Sequence, residues 1–83
     1  MMRQIALDVV TKLKLHYTIT LISIGRSGTC EIVMWDRPRD SYFSIRFHCT
    51  AGTSDEIVAQ KIEDQLRQRL AALHADADSA LDA

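Results

Sequence analysis

Residues 30–49 read CEIVMWDRPRDSYFSIRFHC, and most of the fold prediction rests on this stretch. Two apolar runs rich in β-branched and aromatic residues flank a charged turn. The only proline of the chain, Pro38, lies in that turn, where its missing N–H interrupts no strand ladder. In the second run, Phe43, Ile45 and Phe47 alternate with polar residues, which is typical of a strand with one buried face. The stretch therefore predicts an antiparallel β-hairpin.

The register of this hairpin follows from the same pattern. If Trp35 lies opposite Tyr42, one face becomes entirely apolar, while the other carries an aromatic pair and an opposite-charge pair. A shift of one residue would place apolar side chains opposite Tyr42, Ser44 and Arg46, so the pattern specifies the register. The predicted pairs are Met34–Phe43, Ile32–Ile45 and Cys30–Phe47 on the apolar face, and Trp35–Tyr42, Val33–Ser44 and Glu31–Arg46 on the other.

The preceding sequence, YTITLISI followed by GRSG, predicts another strand and a tight turn. The predicted pairs are Leu21 with Ile32 and Ile19 with Met34. All three strands then share one apolar face. The opposite side of the sheet, which we call the outer face, would include Ile22.

A helix is predicted on each side of these strands. Residues 3–15 carry apolar side chains at 3- and 4-residue spacing, which predicts an amphipathic helix. The sequence TSDE predicts the start of a second helix, with Thr53 as N-cap and Glu56 as its capping-box partner. The apolar stripe of this helix comprises Val58, Ala59, Ile62, Leu66, Leu70 and Leu73. The predicted fold is α+β in the order α-β-β-β-α, a three-stranded antiparallel meander with two helices packed on one face.

Length and charge limit the classes of function. The 83 residues allow one domain, predicted over residues 1–75, with residues 76–83 as a frayed acidic tail. A net charge of −1 provides no overall attraction to phosphate, which argues against nucleic-acid binding as the main function. No apolar stretch reaches the roughly 18 residues that a membrane span needs, and charges interrupt the N-terminal segment, so neither a span nor a secretory signal is predicted. Two cysteines are too few for a disulfide scaffold, so we expect a cytoplasmic protein.

The two cysteines are predicted to be reduced. Cys30 faces Phe47 in the predicted register, so Cys49 is its diagonal neighbour. Diagonal Cα separations exceed the roughly 4.4–6.8 Å that a disulfide tolerates. We therefore expect two largely buried thiols.

The sequence contains no arrangement typical of catalysis or metal binding. His48 and Cys49 are adjacent in a strand and so point to opposite faces, which keeps them from forming a nucleophile–base pair. No histidine, cysteine or carboxylate spacing fits a metal site. The GRSG turn is too short for a phosphate-binding loop. We predict a protein that is not an enzyme and binds no cofactor or metal.

The outer face is the most informative feature for function. It combines aromatic and aliphatic residues with an arginine, a composition typical of protein interfaces. The predicted interface residues are Trp35, Tyr42, Arg46, Val33, His48 and Ile22. We predict a small interaction module that uses this face to form a homodimer or to dock on a protein partner. The alternative is a nucleic-acid-binding domain that uses Arg26, Arg37 and Arg39.

The α-β-β-β-α order resembles that of the double-stranded-RNA-binding domain. That family binds RNA largely through lysines at the start of its last helix. Here the corresponding sequence is TSDEIVAQK, in which Asp55 and Glu56 stand at the lysine positions and only Lys61 follows. Arg26 is the sole basic residue of the first hairpin turn. The resemblance therefore implies the topology but argues against RNA binding of that type.

The chain also resembles a family of small phage and prophage proteins described as an "ABA sandwich" domain. Ala6, Val9, Val10, Lys12 and Leu13 match the first helix of that family, Trp35 the aromatic of its middle strand, and TSDEIVAQKI its last helix. The resemblance covers roughly residues 5–70, although the chain has fewer glycine and aromatic residues around the hairpins. The family has no assigned chemistry. What the resemblance implies is a mobile-element protein that binds a host or phage protein.

Overall fold

The computed structural model describes residues 2–82 of the chain, with side chains described for residues 2–75. The predicted α+β fold is confirmed: a helix, three antiparallel strands in the sheet order β1-β2-β3, and a second helix. The elements are α1 (Met2–Lys12), β1 (Tyr17–Ile24), β2 (Thr29–Asp36), β3 (Ser41–His48) and α2 (Asp55–Asp82). The predicted fraying of residues 76–83 remains a prediction, because the side chains of this segment and all of Ala83 lie outside the described residues.

Helix α1 ends in a Schellman motif. The Leu15 N–H donates to the Val10 carbonyl and the Lys14 N–H to the Thr11 carbonyl, each at 3.0 Å, so the last carbonyls of the helix are satisfied. Lys14 adopts the left-handed conformation that the motif requires, with φ of 56°. The chain therefore leaves α1 three residues earlier than the predicted end at residue 15.

The β2–β3 register is as predicted at every pair. Cys30 pairs with Phe47, Ile32 with Ile45, Met34 with Phe43, and Trp35 with Tyr42. The alternation of buried and exposed residues in β2 follows the predicted faces, because one face packs against the helices.

The β1–β2 register is as predicted only at one end. Ile19 pairs with Met34, but a β-bulge between Ile19 and Leu21 shifts the rest of the strand by one residue. Leu21 therefore lies opposite Val33, not Ile32, and Ile22 takes the place opposite Ile32. The predicted Leu21–Ile32 pair is wrong. The bulge has a clear physical advantage, since it turns Ile22 towards the core and the following serine away from it.

The N-cap of helix α2 lies one residue later than predicted. Ser54 is the N-cap: its Oγ accepts a hydrogen bond from the Ile57 N–H at 3.4 Å, and its carbonyl accepts the Val58 N–H at 3.0 Å. The prediction of Thr53 as N-cap is wrong. The Oγ1 atom of Thr53 instead accepts the Thr50 N–H at 2.9 Å and closes the loop that precedes the helix.

The hydrophobic core lies between the helices and one face of the sheet. Helix α1 packs against β1 and α2, and helix α2 packs against β3. Both helices therefore contribute to one core. Its buried apolar residues are Ala6, Val9 and Val10 of α1, Val58, Ile62 and Leu66 of α2, and Tyr17, Ile19, Cys30, Ile32, Met34, Ile45 and Phe47 of the sheet.

Candidate interaction surface

The outer face of the sheet is not covered by either helix within the described residues. The buried residues of both helices join the core on the opposite side of the sheet, where Ile32 and Met34 of β2 are also buried. Five of the six predicted interface residues lie on the outer face: Val33, Trp35, Tyr42, Arg46 and His48. The placement of Ile22 on this face is wrong, since the bulge in β1 turns its side chain towards the core.

Leu21 takes the place on the outer face that was predicted for Ile22. It is 56% exposed and lies opposite Val33. Sequence reasoning missed this residue because a regular strand would have buried it. The available signal was the pair of adjacent apolar residues at positions 21 and 22, since only a bulge decides which of the two faces the core.

The two aromatic residues of the outer face differ in their surroundings. Trp35 is half-buried, and its indole N–H donates to Asp40 Oδ1 at 3.2 Å. The Arg37 guanidinium lies 5.9 Å from the centre of the Trp35 ring, within the range of a cation–π contact. Tyr42, opposite Trp35, is 70% exposed. Trp35 is therefore held in one orientation, whereas Tyr42 presents most of its ring to its surroundings.

The charged residues of the outer face neutralise each other. Arg46 Nε lies 2.6 Å from Glu31 Oε2, as the predicted cross-strand charge pair implied. Arg46 is mostly exposed, so this pair contributes little to stability, about 0–1 kcal/mol. Its consequence is that the positive charge of Arg46 is balanced on the surface itself.

The three arginines proposed for anion binding do not form one site. Arg26 lies in the β1–β2 turn, whereas Arg37 and Arg39 lie in the β2–β3 turn, and β2 separates the two turns by about 23 Å. Arg39 pairs with Asp36 at 3.3 Å, and Arg37 lies over Trp35.

The β2–β3 turn is anchored by a buried carboxylate that the sequence reasoning did not single out. Asp36 is fully buried and accepts hydrogen bonds from the Arg39 backbone N–H at 3.3 Å and from Arg69 Nη2 at 3.1 Å. The Arg69 guanidinium also lies 3.7 Å from the centre of the Phe43 ring. The sequence did contain an indication of this role. Alternate residues of a strand share a face, so Asp36 faces the core together with Met34, and a charge in the core needs a partner there.

The cysteines are closer than predicted. Both are free thiols, Cys30 buried and Cys49 half-buried, but their Sγ atoms lie 2.8 Å apart. They are free, as predicted, but the diagonal position does not keep their sulfur atoms apart. The Cys49 N–H donates to the Gly28 carbonyl at 2.9 Å, and this bond holds Cys49 beside the start of β2.

Comparisons with known proteins provide no relative. No protein-family model matches the chain, and neither the curated proteins nor the solved structures include a match. Within residues 2–82, no helix is long and apolar enough to cross a membrane. Residues 2–75, whose side chains the structure describes, contain no group of three or more histidine, cysteine or acidic side chains that could hold a metal ion.

Proposed function

We propose that this protein is a small, non-enzymatic interaction module that binds a protein surface, either a second copy of itself or a different protein, through the outer face of its sheet. The observation that carries the proposal is the row of apolar and aromatic side chains on a face that the described helices leave uncovered. This row comprises Leu21, Val33, Trp35 and Tyr42.

The row has the composition of an interface centre. Tryptophan and tyrosine are enriched among the residues that dominate binding energies, and they bury a large area for few rotatable bonds. The contacts of Trp35 with Asp40 and Arg37 hold its ring in place before any partner arrives. A side chain that is already ordered loses less conformational entropy on binding, so Trp35 is the expected anchor.

The polar residues around this row suit a protein partner better than a phosphate backbone. Glu31 neutralises Arg46, and Asp36 pairs with Arg39, although it shares its single charge with Arg69. Nucleic-acid binding through Arg26, Arg37 and Arg39 remains the alternative prediction. It requires an affinity that falls steeply as salt rises, because each phosphate contact releases counterions.

Light scattering over a range of concentrations tests self-association. We compare the wild type with the double variant Leu21→Lys/Tyr42→Lys, which places two charges on the outer face. The matched control is Ile57→Lys, because Ile57 is similarly exposed, at 52%, but lies on α2. A dimer in the wild type and in the control, with a monomer in the double variant, supports self-association through the outer face.

If the wild type is a monomer at every concentration, the partner to be sought is a different protein. Affinity capture is then run in parallel with the wild type, the double variant and Ile57→Lys as the immobilised proteins. A partner retained by the wild type and by Ile57→Lys, but lost by the double variant, supports the proposal. Identical captured sets for all three, or a dimer that the double variant preserves, would contradict it. Binding of a short duplex at low salt that is lost at high salt would favour the alternative.

A further inference from the structure

A cavity of about 610 Å³ lies on the core side at one end of the sheet, away from the proposed interface. Its walls come from the start of α1, the β1–β2 turn, the loop before α2 and the first turn of α2. The larger apolar lining residues are Met2, Ile5, Ile24 and Val58, and Cys49 also contributes to the wall. This volume is in the range that small-molecule sites occupy in proteins, about 300–1,000 Å³.

The two thiols lie at different distances from this cavity. Cys49 is half-buried and lines it, whereas Cys30 is fully buried and lies behind Cys49, with the two Sγ atoms 2.8 Å apart. One thiol is therefore accessible from the cavity, and the other is in contact only with the first and with the protein interior.

Gly28 permits this close approach. It adopts φ of +86°, its carbonyl accepts the Cys49 N–H at 2.9 Å, and a Cβ at this position would lie 2.6 Å from the Cys49 carbonyl oxygen. The missing side chain allows the segment after β3 to pass directly over the start of β2. The backbone of Cys49 is thus fixed next to Cys30.

We propose that the cavity admits a small disulfide compound and that Cys49 and Cys30 react with it in turn to form a reversible intramolecular disulfide. This inference goes beyond the proposed interaction function and does not depend on it, because the thiols lie on the core side of the sheet.

The reaction is an ordinary thiol–disulfide exchange. The Cys49 thiolate attacks one sulfur of the compound RSSR, an S–S bond forms between Cys49 and RS, and the second RS leaves as a thiolate. Cys30 then loses its proton and attacks the Cys49 sulfur, releasing the remaining RS. The sum is two protein thiols and RSSR giving one protein disulfide and two RSH, so the protein is oxidised by two electrons and the compound is reduced by two.

The order of attack follows from the surroundings of the two sulfurs. Burial, together with the adjacent Cys49 sulfur, raises the pKa of Cys30 to about 11, and the nearby Lys61 ammonium offsets this only in part. Cys30 is therefore almost entirely protonated at neutral pH and is a poor first nucleophile. Its contact with Cys49 favours the second step, because an intramolecular attack needs no further encounter.

The test uses the uncharged reagent bis(2-hydroxyethyl) disulfide with the reduced full chain at neutral pH, monitored by intact-mass spectrometry. We expect the wild type to lose two hydrogen masses without retaining an adduct, and peptide mapping to show a Cys30–Cys49 link that a thiol reductant reverses. We expect Cys30→Ala to accumulate one stable adduct on Cys49. Cys49→Ala should react at least about tenfold more slowly than Cys30→Ala, because the remaining Cys30 thiol is fully buried.

Two controls keep the test decisive. Circular dichroism checks that each variant is folded. Peptide mapping of the wild type detects the Cys30–Cys49 link directly, so this part of the test does not depend on the folding of any variant. The wild-type rate is also measured in low urea. A rate that stays constant indicates reaction from the native state, whereas a rate that rises with the unfolded fraction would overturn the proposal. A lasting adduct on wild-type Cys49, a disulfide between two chains, or unreacted thiols would overturn it as well.

Discussion

Replacing Asp36 by alanine should destabilise the protein more than any surface change, because it leaves a mostly buried arginine without its counter-ion. Asp36 is fully buried, and the Arg69 side chain is 21% exposed. Arg69 also lies over the Phe43 ring, so it cannot turn away to solvent without losing that contact. The same carboxylate holds the turn that orients Trp35, which connects this buried pair to the proposed interface.

The magnitude can be built from the individual contacts. The half-exposed Arg39 pair, at 3.3 Å, is expected to contribute at most about 0.5 kcal/mol. The hydrogen bond from the Arg39 backbone N–H adds about 0.5–1 kcal/mol. Loss of the Arg69 contact should cost about 2–3 kcal/mol, because a buried charge loses its partner. The sum of about 3–4 kcal/mol is a large part of the roughly 4–12 kcal/mol expected for a domain of this length.

Urea denaturation of four proteins measures this effect: wild type, Asp36→Ala, Arg69→Met and the double variant. Methionine preserves much of the apolar contact with Phe43 and removes only the charge. We expect Asp36→Ala to lower the free energy of unfolding by about 3–4 kcal/mol and the double-mutant cycle to give a coupling of about 2 kcal/mol. Arg39→Ala is the matched control and should cost less than about 1 kcal/mol. A loss below about 1 kcal/mol for Asp36→Ala, or a coupling near zero, would refute the reasoning.

Three further predictions concern local features of the fold. Lys14→Gly should raise the free energy of unfolding by about 0.5–1 kcal/mol in urea titrations, since Lys14 has a positive φ at the end of α1; no gain would contradict the Schellman assignment. Gly28→Ala should lower the melting temperature by about 8 °C or more, because a Cβ there meets a carbonyl oxygen at 2.6 Å in a left-handed backbone, and an unchanged melting temperature would exclude the close approach. Hydrogen bonds from Lys12 and then from Arg67 lower the pKa of Glu63, so its contribution to stability is present above its usual pKa of 4.5 and is lost as the pH falls through the lower folded value. Stability measured from neutral to acidic pH should accordingly fall less in Glu63→Gln than in the wild type, and equal slopes would contradict this role.

The proposed interface and the thiol pair lie on opposite sides of the sheet, so their tests are independent. Charges introduced at Leu21 and Tyr42 leave the cavity lining intact, and substitution of Cys49 leaves the outer face intact. A protein that fails one test therefore still gives an unambiguous result in the other.

The sequence by itself determined the element order and the β2–β3 register. Both follow from patterns that extend over a few neighbouring residues: apolar spacing in the helices, and the alternation of Phe43, Ile45 and Phe47 with polar residues in β3. A shift of one residue would have exposed an entire apolar face, so few alternatives could compete. The helix boundaries were less determined, because Thr53 and Ser54 are both good N-cap residues and only the surrounding hydrogen bonds distinguish them.

The remaining features depended on contacts between residues far apart in the chain. The bulge in β1 follows from the space that the helices leave for Ile22, and local pattern does not contain that information. Asp36 and Arg69 are 33 positions apart, and nothing near either residue specifies the other. Cys30 and Cys49 meet because the chain leaves β3 and crosses Gly28. Packing of separate segments decided these features. Each depends on which polar groups lack a partner, or which spaces remain unfilled, once the core has formed.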